Sequence, residues 1–160
     1  MPKTVSTPCD VLAVQYYGVA AIDDTGNWVQ LYPSSQATWQ QVHAEGLFDL
    51  LTRIERDYPD APPLLITENG VPDTNPGAIA DPERITFLRE HLQQAARAID
   101  AGVDLRGYYA WSLLDNFEWA RGLTQRWGLV HVDFDTQERT PKDSAAWYSG
   151  VIAANAVAPA

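Results

Sequence analysis

Leu64-Leu65-Ile66-Thr67-Glu68-Asn69-Gly70 decides how this chain is read. Leu64 to Thr67 form a brief apolar run of the kind that makes a buried strand, and Glu68-Asn69-Gly70 breaks it. A carboxylate placed there sits at the rim of a buried sheet, where desolvation costs several kcal/mol unless the group is paired. From spacing alone, a surface glutamate capping the turn before Asn69-Gly70 fits as well as a catalytic group.

The flanking segments repeat the strand-then-helix pattern. Upstream, Asp10 to Tyr17 (DVLAVQYY) reads as another buried strand, ending at Gly18. Residues 18–43 hold the turn formers Asp23-Asp24-Thr25-Gly26-Asn27 and Pro33-Ser34-Ser35, and read as a long loop. Leu47, Leu50, Leu51, Ile54 and Tyr58 then recur at helical spacing until Pro59. Downstream, the loop from Val71 to Ala80 carries Pro72, Asn75, Pro76 and Gly77. Asp81 is expected to cap a helix that has Pro82 at its first position, Ile85, Leu88, Leu92, Ala95, Ala96 and Ile99 on its apolar face, and Gly102 as its stop. A third strand is expected over Leu105 to Trp111, and a further β-rich piece over Gly128 to Val132, followed by a turn at Phe134 to Gln137. Thr140-Pro141-Lys142-Asp143 reads as the start of a last helix carrying Trp147, Tyr148, Val151 and Ile152, and the Ala-rich tail from Ala153 to Ala160 is expected to fray. Non-alternating apolar strands separated by helices predict a parallel sheet with helices outside it.

Composition narrows the function classes. The 160 residues are 46% hydrophobic and 20% charged, as in an ordinary globular protein, with no repeat, low-complexity segment or linker. Twenty-one acidic against eleven basic side chains give a charge of −10, which repels nucleic acid and suits a neutral ligand. The lone Cys9 excludes an internal disulfide framework and a cysteine-rich metal site, and His43, His91 and His131 lack metal-ligand spacing and read as structural or surface residues. Met1 to Pro8 contain no apolar run of signal-peptide length and no stretch could span a bilayer, so a cytoplasmic location with no membrane association is the expectation. Many of the six Trp, seven Tyr and four Phe could be core, but Trp in such numbers also suits a protein that stacks against sugar rings.

In parallel α/β folds, functional groups gather where strands end, because the following loops converge there. The three strand ends here carry Gln15, Tyr16 and Tyr17; Glu68 and Asn69; and Trp111, Ser112, Asp115, Asn116, Glu118 and Trp119. A phenol such as Tyr17 could hold Glu68 ionised, as a nucleophile requires. Asp115 and Asn116 read as backbone anchors rather than ligands, and Tyr16, Tyr108 and Tyr109 as core. Trp28 and Trp39 could pack or border the site.

Ile66-Thr67-Glu68-Asn69-Gly70 followed by Gly107-Tyr108-Tyr109-Ala110-Trp111-Ser112-Leu113-Leu114-Asp115-Asn116-Phe117-Glu118-Trp119-Ala120 resembles glycoside hydrolase family one, the β-glucosidases and β-galactosidases. The similarity extends to Asp10 to Tyr17, Glu45-Gly46-Leu47, Asp81 to Leu92, Arg126 to Phe134 and Arg139 to Lys142. The resemblance implies an α/β fold in which the whole chain, residues 1–160, is the C-terminal portion of a (β/α)8 TIM barrel, about strands six to eight with their helices. It further implies Glu68 as the nucleophile of a retaining β-glycosidase, Tyr17 as its hydrogen-bond donor, and Glu118 as the group gripping two sugar hydroxyls. Trp119 would donate its indole N–H to another hydroxyl, and Trp111 would lie beneath the ring. No cofactor and no metal are implied.

Two positions depart from the family pattern: Gln15 stands where Asn is usual, and Trp127 stands where Phe is common near the sugar 6-hydroxyl. Glu118 argues against a 6-phospho sugar, whose phosphate it would repel. The retaining mechanism needs two carboxyl groups. The family's second one lies in an Asn-Glu-Pro motif, which does not occur in these residues, and a complete barrel takes about 250 residues. The expected partner is a β-linked glucoside, galactoside, fucoside or short oligosaccharide. The alternatives are an inactive sugar-binding or vestigial fragment needing a partner chain, or an assembly role with self-association through exposed sheet edges.

Overall fold

The computed structural model describes residues 8–157 apart from Thr74 and Pro76. The reading of Met1 to Thr7 and the end of the tail, 158–160, lie outside those residues. Three strands, β1 (Leu12–Gln15), β4 (Leu64–Asn69) and β5 (Leu105–Ala110), form a parallel sheet in the order β1-β4-β5. Between them run β2 (Ala21–Ile22), β3 (Trp28–Val29), α1 (Glu45–Asp57) and α2 (Pro82–Asp100); β6 (Val130–Val132), β7 (Arg139–Pro141) and α3 (Asp143–Ala154) follow.

α1 and α2 cover one face of the sheet. Val14, Ile66 and Leu64 from the strands meet Leu47 and Leu51 of α1 and Ala95 and Ala98 of α2 in one apolar core, with Ile66, Leu47, Leu51 and Ala98 fully buried. The opposite face has no such cover, and Ala13, Gln15 and Tyr109 stand exposed on it. Tyr109, expected in the core, therefore points away from it at 60% exposure, because strand alternation sends it opposite to Tyr108, which packs against the core.

Other expectations are corrected. The presumed long loop contains an antiparallel pair, β2 with β3, closed by Asp23, whose carboxylate accepts the amides of Thr25 and Asn27. Thr140 and Pro141 do not start a helix; they belong to β7, which pairs antiparallel with β6, and α3 starts after Lys142, which makes no side-chain cap. Asp81 precedes α2 without capping it, and its carboxylate instead accepts the Ser144 amide at 2.9 Å and hydroxyl at 2.6 Å and pairs with Arg84, joining the starts of α2 and α3. The buried stripe of α2 is also rotated from the expected face: it runs Arg84, Phe87, Leu88, His91, Ala95 and Ala98, leaving Ile99 half exposed. Apolar periodicity passed over Arg84 and His91, whose burial depends on partners. Arg84 donates to the carbonyls of Val71 and Arg126, and His91 stacks on Phe87 while its Nδ1 meets that residue's carbonyl.

The strand carrying Glu68 runs two residues further than its apolar run. Its alternation slips there: β1 shifts register between Val14 and Gln15 to place Gln15 opposite Glu68, and the pairing of β4 with β5 shifts between Ile66 and Asn69 of β4. Both irregularities lie at the C-terminal end of the sheet, where such local disruptions re-aim side chains.

Candidate active site

Glu68 projects from the irregular end of β4 into a pocket lined by Tyr17, Trp39, Trp111, Glu118, Trp119 and Trp127. Its carboxylate is held from both sides by neutral donors. Tyr17 donates its hydroxyl to Oε2 at 2.6 Å and Gln15 donates its amide to Oε1 at 2.8 Å. Burial and then the hydrogen bond to Glu68 hold the Tyr17 phenol far above its ordinary pKa, so it stays a donor. The Glu118 carboxyl is pushed above the usual range, first by burial and then by the charge of Glu68.

The backbone around these groups is fixed by close approach. Tyr16 N–H donates to the Glu68 carbonyl, and Trp111 N–H to the Asn69 carbonyl. Asn69, fully buried, donates to the Tyr16 carbonyl at 2.6 Å and accepts from Tyr108. At Gly70 a Cβ would fall 2.0 Å from the Trp111 carbonyl oxygen, so only glycine lets the backbone of Trp111 approach this closely. Trp119 is 81% exposed and adopts φ 42°, a left-handed conformation that non-glycine residues avoid and that tends to cluster at functional sites. Trp127 is buried to 2% exposure with its ring edge-on to Tyr17, centroids 5.5 Å apart.

The residues given a catalytic or sugar-contacting role by the resemblance lie at one place: Tyr17, Glu68, Trp111, Glu118, Trp119 and Trp127 line the pocket, and Gln15 reaches its carboxylate. Trp39, left open between packing and site, joins the lining with its ring 6.3 Å from that of Trp127. Sequence reasoning missed Gln40, which is buried and donates to the carbonyls of Tyr17 at 2.7 Å and Gly70 at 3.0 Å, locking the ends of β1 and β4 together. A glutamine in a turn-rich segment carries no signal that would have found it. Asp115 is an anchor, as expected, buried and accepting the Gly128 and Val132 amides.

The arrangement is a carboxylate held between aromatic side chains, with a second carboxylate lining the same pocket. Residues 9–157 match the profile of Glycosyl hydrolase family 1, and the chain belongs to that family. It is 40% identical over 173 residues to Beta-glucosidase A of Acetivibrio thermocellus and 41% identical over 166 residues to Thermostable beta-glucosidase B of Thermobispora bispora. Both alignments take in 96% of this chain but only 37% and 35% of those proteins. A solved β-glucosidase of Thermotoga maritima in complex with glucoimidazole superposes with a TM-score of 0.89 at 36% identity, covering 98% of this chain and 37% of that one. The chain therefore spans little more than a third of its relatives' length, as a partial piece of their fold. Among the described residues no helix is long and apolar enough to cross a membrane.

Proposed function

We propose that residues 1–160 form the C-terminal part of a TIM-barrel retaining β-glycosidase that hydrolyses terminal β-D-glucosides, and also galactosides or fucosides. The observation that carries this reading is Glu68 held between Tyr17 and Gln15 inside an aromatic pocket. Both donors are neutral side chains, so they orient the carboxylate for attack rather than pairing it with a cation. Glu68 attacks the anomeric carbon, the glycosidic C–O bond breaks, and a covalent glycosyl-enzyme forms that water then opens with retention. Trp111 lies beneath the apolar face of the ring, Glu118 takes two hydroxyls, Trp119 donates to another, and Trp127 walls the side of the 6-position.

Protonation of the leaving group requires a second carboxyl group roughly 5–5.5 Å from the nucleophile. The Asn-Glu-Pro motif that supplies it in the family is absent from these residues, so the chain by itself is expected to hydrolyse little, losing about 10²–10⁴-fold. The remaining barrel strands would supply that group and cover the open sheet face, and without them the edges of β1 and β5 favour self-association.

The test uses an enzyme completed by those strands. A 2-deoxy-2-fluoro glycoside with a good leaving group should label Glu68, and Glu68→Gln should lower kcat by roughly 10⁴-fold or more. A label on another residue, or turnover that survives the substitution, refutes the assignment.

A further inference from the structure

The segment after β5 leaves the sheet, carries Glu118 and Trp119 out over the pocket, and returns at Trp127. Its neck is a short ladder: Ser112 N–H donates to the Trp127 carbonyl, Leu129 N–H to that of Ser112, Val130 N–H to that of Leu113, and Asp115 N–H to that of Val130. Into this neck the Asp115 side chain is buried completely. Its Oδ1 accepts the Gly128 amide at 2.9 Å and the Lys142 ammonium at 3.2 Å, and its Oδ2 accepts the Val132 amide at 3.4 Å. Arg126 lies 3.7 Å from Oδ2, and His131 Nδ1 lies 3.3 Å from it, near enough to pair but not aligned for a hydrogen bond. Gly128 has no room for a side chain, since a Cβ would fall 2.2 Å from the Asp115 amide nitrogen.

We propose that Asp115 is a positioning residue for the sugar-facing side chains: its carboxylate clasps the neck of the 116–127 excursion and so sets Glu118, Trp119 and Trp127 against Glu68. The clasp reaches Trp127 through the adjacent Gly128 amide and reaches Glu118 through the chain three residues on. It is tied to the body of the fold by Lys142, at the entry to α3, and by Val132 of β6. Asp115 touches no substrate and acts only through these neighbours. A bare hydrogen bond would leave this neck free to twist, whereas a carboxylate reading two amides and a buried ammonium fixes both arms in one register.

The inference rests on the sugar-site reading, and its test separates the two. In the full chain, the indole N–H signals of Trp111, Trp119 and Trp127 should move or broaden in Asp115→Asn while those of Trp28 and Trp147 stay, with circular dichroism unchanged. A folded variant with all site indoles unmoved overturns the clasp. Should Asp115→Asn fail to fold, Lys142→Met keeps the stem volume, removes the bonded cation and is read in the same way. In the enzyme completed by the remaining barrel strands, glucoimidazole titrated calorimetrically should bind Asp115→Asn about tenfold more weakly, and Glu118→Gln should cost less in that background than alone. Strictly additive losses overturn positioning. If the enzyme completed by the remaining barrel strands binds no glucoimidazole, or Glu118→Gln leaves its affinity intact, the sugar-site reading falls while the indole signals still decide the clasp.

Discussion

Glu68 and Asp115 are both carboxylates at or just beyond the end of a parallel strand, yet their surroundings differ in kind. Glu68 is half-buried and held by a phenol and an amide, while Asp115 is wholly buried among an ammonium, a guanidinium, an imidazole and two backbone amides. Neutral donors orient a carboxylate without cancelling its charge. Cations in a dry environment fix it, and the pair becomes costly to break. Position at a strand end therefore does not distinguish the proposed nucleophile from an anchor; the charge of its partners does.

That contrast predicts opposite behaviour in stability. Asp115→Ala leaves Lys142 buried without its partner and should cost about 3–5 kcal/mol in urea unfolding. Glu68→Gln keeps the shape and faces only neutral donors, so its cost should stay within about 1 kcal/mol. Equal losses for the two would erase the distinction. Burial already lowers the Lys142 pKa, with the charge of Arg84 adding to it and Asp115 opposing, which is why loss of the aspartate strands the ammonium.

A smaller effect sharpens the comparison at the glycines beside each carboxylate. A Cβ at Gly128 would meet the Asp115 amide at 2.2 Å and the Val130 carbonyl oxygen at 2.5 Å, whereas at Gly70 it would meet the Trp111 carbonyl at 2.0 Å. Each clash is with backbone, which cannot rotate away, so either alanine should cost about 1–3 kcal/mol by thermal or urea melts. Gly70→Ala should in addition displace the Trp111 indole signal. Near-wild-type stability for both would mean that the backbone yields at these approaches without cost.

How much of this was legible beforehand follows the physics of each element. The three strands, both long helices and the gathering of Tyr17, Glu68, Trp111, Glu118, Trp119 and Trp127 were readable, because apolar runs, helical spacing and two motif stretches all lie in local sequence. The slip that places Gln15 opposite Glu68 was not, since register shifts are settled between strands rather than within one. Arg84 and His91 on the buried stripe of α2 were invisible to a pattern that counts apolar residues, and Asp81 looked like a helix cap because its true partner, Ser144, lies 63 residues away. Gln40 and Trp39 enter the site from a loop whose course no periodicity reports.

The smallest expected effect concerns charge between the two pocket acids. Glu118 holds its proton to a higher pH than an ordinary glutamate, chiefly through burial and secondarily through the negative charge of Glu68. A group raised in this way takes up its proton at a higher pH than an ordinary glutamate, and on the proposed role of Glu118 the protonated carboxyl would no longer accept two sugar hydroxyls. Affinity for a neutral sugar such as cellobiose should therefore decline on acidification through that raised value. Glu68→Gln removes the secondary cause and keeps the primary one, so the Glu118 carboxyl signal, followed by carbon-13 titration, should move to lower pH while staying above the ordinary range. Asp115→Asn removes a charge that does not contribute to that shift and should leave the titration near its original position unless the excursion swings Glu118 away from Glu68. A Glu118 titration indifferent to Glu68→Gln would mean that the two carboxylates do not sense each other, and the pocket would lose its electrostatic coupling.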